Sequence, residues 1–119
     1  MWPFTRKSAG ASRRPSVVPT IDIHEAFARQ RRGARLVDVR STEEFAQGPR
    51  PRGARNVPPE RIVRGDLRLS KDDEILLICH SGHRSLRAAQ ALAGQGYTNV
   101  SNVRGGLNAW QRAGLPLSR

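Results

Sequence analysis

The stretch of this chain best equipped for chemistry is Cys79-His80-Ser81-Gly82-His83-Arg84-Ser85, which follows the apolar run Ile75-Leu76-Leu77-Ile78 and holds the single cysteine of the sequence. A lone thiol is either inert filling or a reagent. Small, polar residues placed after it, between a strand and a helix, let successive backbone N–H groups turn inward into an anion-binding nest at the helix N-terminus. A thiol inside such a nest ionises readily, its pKa falling from roughly 8.5 toward neutrality or below. Arg84 adds a fixed positive charge, and His80 and His83 add more when protonated. Bulky apolar residues in the same places would mark an inert strand end. The stretch therefore reads as a nucleophile, Cys79, with His80, Ser81, Gly82, His83 and Arg84 as an anion-holding loop. No metal is expected on Cys79, His80 and His83, because three ligands within five residues lack a fourth.

The elements around this loop must present it at a strand end. Leu36-Val37-Asp38-Val39 and Glu74–Cys79 are short runs rich in aliphatic residues, consistent with strands covered on both faces. Asp22 with Glu25, and Ser41 with Glu44, have capping-box spacing and open two helices, ending near Gly33 and Gly48. The stretch 48–59 is a proline-rich loop enclosing an extended piece at 54–57, and 61–69 forms a short helix or turn. A helix over 85–93 follows, with Leu86, Ala89 and Leu92 or Ala93 on one face, then a strand over 100–103. A last helix starts at Gly105-Gly106, runs through Trp110 and stops at Gly114 and Pro116. Strands interleaved with helices predict an α/β fold of about five parallel strands with helices on both faces, and sites at the carboxyl ends of those strands.

Length and composition narrow the function. The 119 residues suit one domain. Residues 1–19 hold Arg6, Lys7, Arg13 and Arg14 with no acid and no apolar periodicity, so they read as a flexible basic tail before a domain over 20–119. No apolar run approaches the ~20 residues that span a bilayer, and no secretory signal is expected. One cysteine excludes an intramolecular disulfide and suits a reducing, cytoplasmic setting. The net charge is +11, and every basic residue except Lys7 and Lys71 is arginine. Such a balance invites a nucleic-acid reading. The arginines, however, lack an aromatic platform, a zinc motif or a helix-turn-helix, so no nucleic-acid partner is expected.

Taken in order, Leu36-Val37-Asp38-Val39-Arg40, Glu44-Phe45, Gly48, Gly53-Ala54-Arg55-Asn56-Val57-Pro58, Cys79 to Ser85, Gly105-Gly106-Leu107-Asn108-Ala109-Trp110 and Ala113-Gly114-Leu115-Pro116 resemble single-domain rhodaneses over about residues 20 to 117. That resemblance implies a sulfurtransferase needing no cofactor. Its loop cysteine, here Cys79, takes sulfur from an anionic donor such as thiosulfate as a persulfide. It passes the sulfur to cyanide, a small thiol or a protein thiol. The loop N–H groups would hold the negative sulfur, as an oxyanion hole holds oxygen. Arg84 would shape the loop or bind the donor. Phosphatases and arsenate reductases that share the fold resemble C-x5-R; here arginine stands at C-x4-R and Ser85 occupies the later slot. The shorter ring suits one extra sulfur better than a phosphoryl group. The chain departs from the family pattern after Gly48, where Pro49-Arg50-Pro51-Arg52 replace a histidine and an aliphatic residue.

Asp38, Arg40 and Ser85 are expected behind the contact residues. For Asp38 and Arg40 the preferred reading is a structural ion pair, since buried charges need partners whatever the chemistry. Trp110, three residues after Leu107, reads as core, and His24 as a surface or satisfied histidine. Arg50, Arg52, Arg55, Arg61, Arg64 and Arg68 outnumber Glu60 and Asp66. They form either a positive rim that attracts anionic donors or an acidic partner, or a solvated arginine-rich surface. The competing functional class is a non-catalytic module of the same fold that binds a partner or senses redox state through Cys79.

Overall fold

Four aliphatic side chains in succession, Ile75–Ile78, must alternate between the two faces of any strand they form, so both faces have to be covered. The computed structural model, which describes residues 17–119, meets that demand. In chain order its elements are β1 (Thr20–Ile21), α1 (Ile23–Arg31), β2 (Arg35–Asp38), α2 (Thr42–Gln47), β3 (Arg50–Pro51), β4 (Arg55–Asn56), α3 (Pro59–Arg64), β5 (Ile75–Ile78), α4 (His83–Gly94), β6 (Val100–Val103), α5 (Gly106–Arg112) and β7 (Leu117–Ser118). Five strands make a parallel sheet in the order β1-β6-β5-β2-β4. Ile75, Leu77 and Cys79 join Val37, Val39, Ile62, Ala89, Leu92 and Val100 in the core under α3 and α4. On the other face Leu36, Leu76, Ile78 and Val103 pack with Ile23, Ala26 and Trp110 of α1 and α5. Trp110 is core, as its spacing predicts, with its indole N–H donating to the Pro116 carbonyl at 2.8 Å.

The strand order decides where a site can form. After β2 the chain moves outward to β4, whereas after β5 it moves the opposite way to β6. In open α/β sheets such a reversal is where sites form, here beyond the carboxyl ends of β2 and β5. Asp38 lies opposite Ile78 in the register, and the Val39 N–H donates to the Ile78 carbonyl at 2.9 Å. Asp38, Arg40 and Cys79 therefore emerge along one edge.

Local signals account for most boundaries. Ser41 and Glu44 form a reciprocal capping box, at 3.1 and 3.0 Å, while Asp22 makes only its forward half, accepting from the Glu25 N–H at 2.8 Å. α3 starts at Pro59 rather than at 61, because proline lacks only an N–H that the first turn leaves unpaired anyway. α4 starts two residues earlier than the apolar periodicity predicts. Gly82 caps it with φ of 106°, a left-handed turn that glycine adopts without steric cost.

The basic tail expected over 1–19 lies, through residue 16, outside the described residues. Of the remainder, Val18 is buried in the core and the Pro19 carbonyl accepts the Asn102 N–H at 2.8 Å. Packing thus begins two residues before the expected boundary.

Candidate active site

A cysteine that directly follows β5 and precedes a glycine-capped helix carries its sulfur to the N-terminus of α4, where backbone N–H groups have no partners within the helix. Gly82 N–H donates to Cys79 Sγ at 3.1 Å, and Ser85 approaches it twice, through N–H and hydroxyl, each at 3.3 Å. The cysteine is 1% exposed, while His80, Ser81, His83 and Arg84 around it are exposed. Burial by itself would push the thiol up. The Ser85 hydroxyl and the N–H groups of Ser85, Gly82 and Ser81 outweigh it, leaving the thiol below its ordinary value.

The expected loop residues divide into separate roles. Gly82 touches the sulfur, and Ser81 favours its ionisation through a backbone N–H. His83 faces Ser81 instead, ring nitrogen to hydroxyl at 3.2 Å. His80 is tied down by its backbone, its carbonyl accepting the Asn108 N–H at 3.0 Å. Ser85, expected behind the contact residues, makes two of the contacts to sulfur. Asp38 and Arg40 form a buried pair, Arg40 Nη2 to Asp38 Oδ2 at 2.9 Å, and Arg40 also donates to the Pro49 carbonyl at 3.4 Å. Neither of them makes a hydrogen bond to the cysteine.

Arg84 is held by Glu44, with Nη1 to Oε1 at 2.8 Å and Nη2 to Oε2 at 3.1 Å. This two-point grip fixes the guanidinium at the loop rim, near enough for the charges of Arg84 and Cys79 to interact. The Arg84 hydrogen bond, helped by the Ser41 N–H, draws the Glu44 carboxyl from 4.5 down to about 2. A depressed carboxylate stabilises the fold above its ordinary pKa, and that contribution fades as pH falls toward about 2. Both side chains are about two-fifths exposed, so water screens the pair and its contribution stays below about 1 kcal/mol. Arg84→Ala is therefore expected to raise the Glu44 titration midpoint back toward the ordinary carboxylate range, read by NMR, with little change in melting temperature.

Three contributors escaped the sequence reading. Glu44 was legible as a helix cap and as part of the family pattern, but not as the partner of Arg84. Asn102 was one residue of a strand, yet its Oδ1 accepts the Ser85 hydroxyl at 2.6 Å. Gly105-Gly106 marked a helix start, but their larger role is to let α5 dock on the loop. Leu107 N–H donates to the Cys79 carbonyl at 2.8 Å, and Gly106 has φ of 56°. A Cβ on Gly106 would run into the Cys79 carbonyl and would meet the His80 carbonyl at 2.8 Å.

The arginine-rich segment is partly structural. Arg50–Pro51 pairs antiparallel with Leu117–Ser118, Arg50 donates to the Phe45 carbonyl at 3.0 Å over the Phe45 ring, and Arg61 pairs with Asp66 at 3.4 Å. Arg55, Arg64 and Arg68 are exposed. A mainly apolar groove of about 280 Å³ runs between α3 and α4 beside Arg84, bordered by Ile62, Val63 and Arg87. Among the described residues no group of three or more His, Cys, Asp or Glu could hold a metal ion, and no helix is long and apolar enough to cross a membrane.

Residues 22–113 match the model of the rhodanese-like domain. A sulfurtransferase of Allochromatium vinosum is 43% identical over 82 residues, covering 69% of this chain and 76% of that protein. Thiosulfate sulfurtransferase 16, chloroplastic, of Arabidopsis thaliana is 35% identical over 120 residues, covering 91% and 97%. Among solved structures, the human single-domain sulfurtransferase TSTD1 superposes with a TM-score of 0.72 at 30% identity, covering 80% of this chain and 96% of that one. With the cysteine loop, the parallel sheet and these similarities in agreement, the chain belongs to the rhodanese-like domain family.

Proposed function

We propose that this protein is a sulfurtransferase whose Cys79 carries sulfur as a persulfide. The supporting observation is the seat of Sγ: buried, and met by Gly82 N–H, Ser85 N–H and the Ser85 hydroxyl at the start of α4. The Cys79 thiolate attacks the outer sulfur of an anionic donor such as thiosulfate. A Cys79–sulfur bond forms, the donor's S–S bond breaks, and sulfite leaves with the bonding electrons. A thiophilic acceptor (cyanide, a small thiol or a protein thiol) then attacks the terminal sulfur, and Cys79 departs as thiolate. Loop N–H groups suit the negative terminal sulfur for the same electrostatic reason that they suit the thiolate. The names of the Allochromatium and Arabidopsis relatives support this class of reaction. A single thiol suits a reducing compartment such as the cytoplasm.

Intact mass after incubation with thiosulfate tests the reading. Gain of one sulfur atom, removed by cyanide with release of thiocyanate, is the expected result. No gain of mass would favour the non-catalytic, partner-binding module instead. Arg84→Ala is expected to slow loading by about tenfold or less, because the guanidinium acts from the rim while the backbone donors remain. Loading rates for the variant and the parent protein measure this.

A further inference from the structure

Ser85 has one hydroxyl proton and two acceptors within reach. Asn102 Oδ1 is 2.6 Å from its oxygen and Cys79 Sγ is 3.3 Å away. An amide oxygen only accepts, so at the shorter distance the proton belongs to Asn102, and the Ser85 lone pairs are left for the S–H of a neutral thiol. Thiolate formation reverses the demand at sulfur, which then needs a donor. If the hydroxyl simply swung away, Asn102 Oδ1 would be stranded. Ser85 is fully buried and Asn102 is 4% exposed, so a stranded acceptor there is costly.

The far end of Asn102 supplies the solution. Its Nδ2 points at the Thr20 hydroxyl, 3.4 Å away on the neighbouring strand, and a hydroxyl can donate as readily as accept. We infer that Asn102 is a positioning residue for Cys79, whose side-chain amide turns over to reverse the hydrogen-bond chain from Thr20 to Sγ when the thiol ionises. In the thiol form the donors run from sulfur through Ser85 to Asn102 and on to Thr20. In the thiolate form they run from Thr20 through Asn102 to Ser85 and on to sulfur. Sγ, the Ser85 hydroxyl and the Asn102 amide oxygen each keep a partner in both forms, and the proton lost from Sγ is the only one that leaves the chain.

The other charged groups around Cys79 are Arg84 paired with Glu44 of α2, Asp38 paired with Arg40 beyond β2, and His80 and His83 in the loop. On the neighbouring elements, Glu60 and Arg64 of α3 and Arg104 after β6 are exposed, and Arg61 pairs with Asp66. The reversal involves none of them. It deepens the proposed function, since that reading needs a thiolate, but its test reads ionisation and not sulfur transfer.

The test follows the Asn102 side-chain amide protons by ¹⁵N NMR while Cys79 is titrated, beside the pH profile of Cys79 alkylation by iodoacetamide. Wild-type protein is expected to show both amide protons shifting with the alkylation midpoint, and Ser85→Ala to abolish that response. Asn102→Asp keeps the shape but can only accept when ionised, so it should raise the alkylation midpoint by about one unit or more. In a Ser85→Ala background the same substitution should have less than half that effect. An amide that ignores the titration, or an equal effect of Asn102→Asp in both backgrounds, overturns the inference. Persulfide loading is scored separately by mass, so its failure counts against the proposed function and leaves the ionisation result standing.

Discussion

Cys79→Ser is expected to lose thiosulfate-dependent sulfur loading by roughly a thousandfold or more. A serine hydroxyl is not ionised near neutrality, and its oxygen cannot form the S–S bond that holds the transferred sulfur. The surroundings of Sγ sharpen the expectation. Gly82 N–H and Ser85 N–H donate to the sulfur beside the Ser85 hydroxyl, and a hydroxyl in its place can accept from the same two N–H groups and donate to the Ser85 oxygen. Serine is also nearly the same size, so the fold should survive almost unchanged. The measurement pairs intact mass and thiocyanate release with a thermal melt. Loss of loading with an intact melt is the expected pattern; a serine variant that still gains sulfur overturns the assignment of Cys79.

Asp38→Ala is expected to destabilise the fold by about 3–5 kcal/mol, the cost of leaving a buried charge without its partner. Asp38 and Arg40 are 1% and 4% exposed, and the carboxylate meets the guanidinium at 3.0 and 2.9 Å as well as the Arg40 N–H at 3.0 Å. Asn56 ties the same corner by donating to both the Asp38 and Arg40 carbonyls, at 3.0 and 2.9 Å. Removing the carboxylate leaves the guanidinium with only the Pro49 carbonyl. A double variant, Asp38→Leu with Arg40→Met, separates pair from place. With both charges gone, most of the loss should be recovered, whereas a residue needed for its own contacts would give additive losses. Urea unfolding of the three variants measures this. The pair secures the edge beside Cys79 and makes no hydrogen bond to it.

The fold was largely legible because its signals are local. Aliphatic-rich runs at Leu36–Val39 and Ile75–Ile78, caps at Asp22 and Ser41, and glycines at helix ends each act within a few residues, so the sequence carries them whole. The two helix starts that moved did so at a residue of special backbone geometry: Pro59 started α3 early, and Gly82 started α4 early. The net charge, which at first invited a polyanion partner, has a more ordinary account in part. Arg40, Arg50, Arg61 and Arg84 each serve a definite contact within the fold.

By itself, then, the sequence determined an α/β architecture, a single thiol at a strand end, and a small polar loop able to surround an anion. Only the tertiary structure decided which atoms reach the sulfur and what stands behind them. Arg84 meets Glu44 across 40 residues, Ser85 meets Asn102 across 17, and Gly106 brings α5 against the Cys79 carbonyl. The physical reason is that capping and periodicity are properties of neighbouring residues, whereas a hydrogen bond between distant ones exists only after strand order and register have placed them side by side. In this chain the winding reverses between β2 and β5, and that reversal, invisible to any local pattern, is what gathers these partners around Cys79.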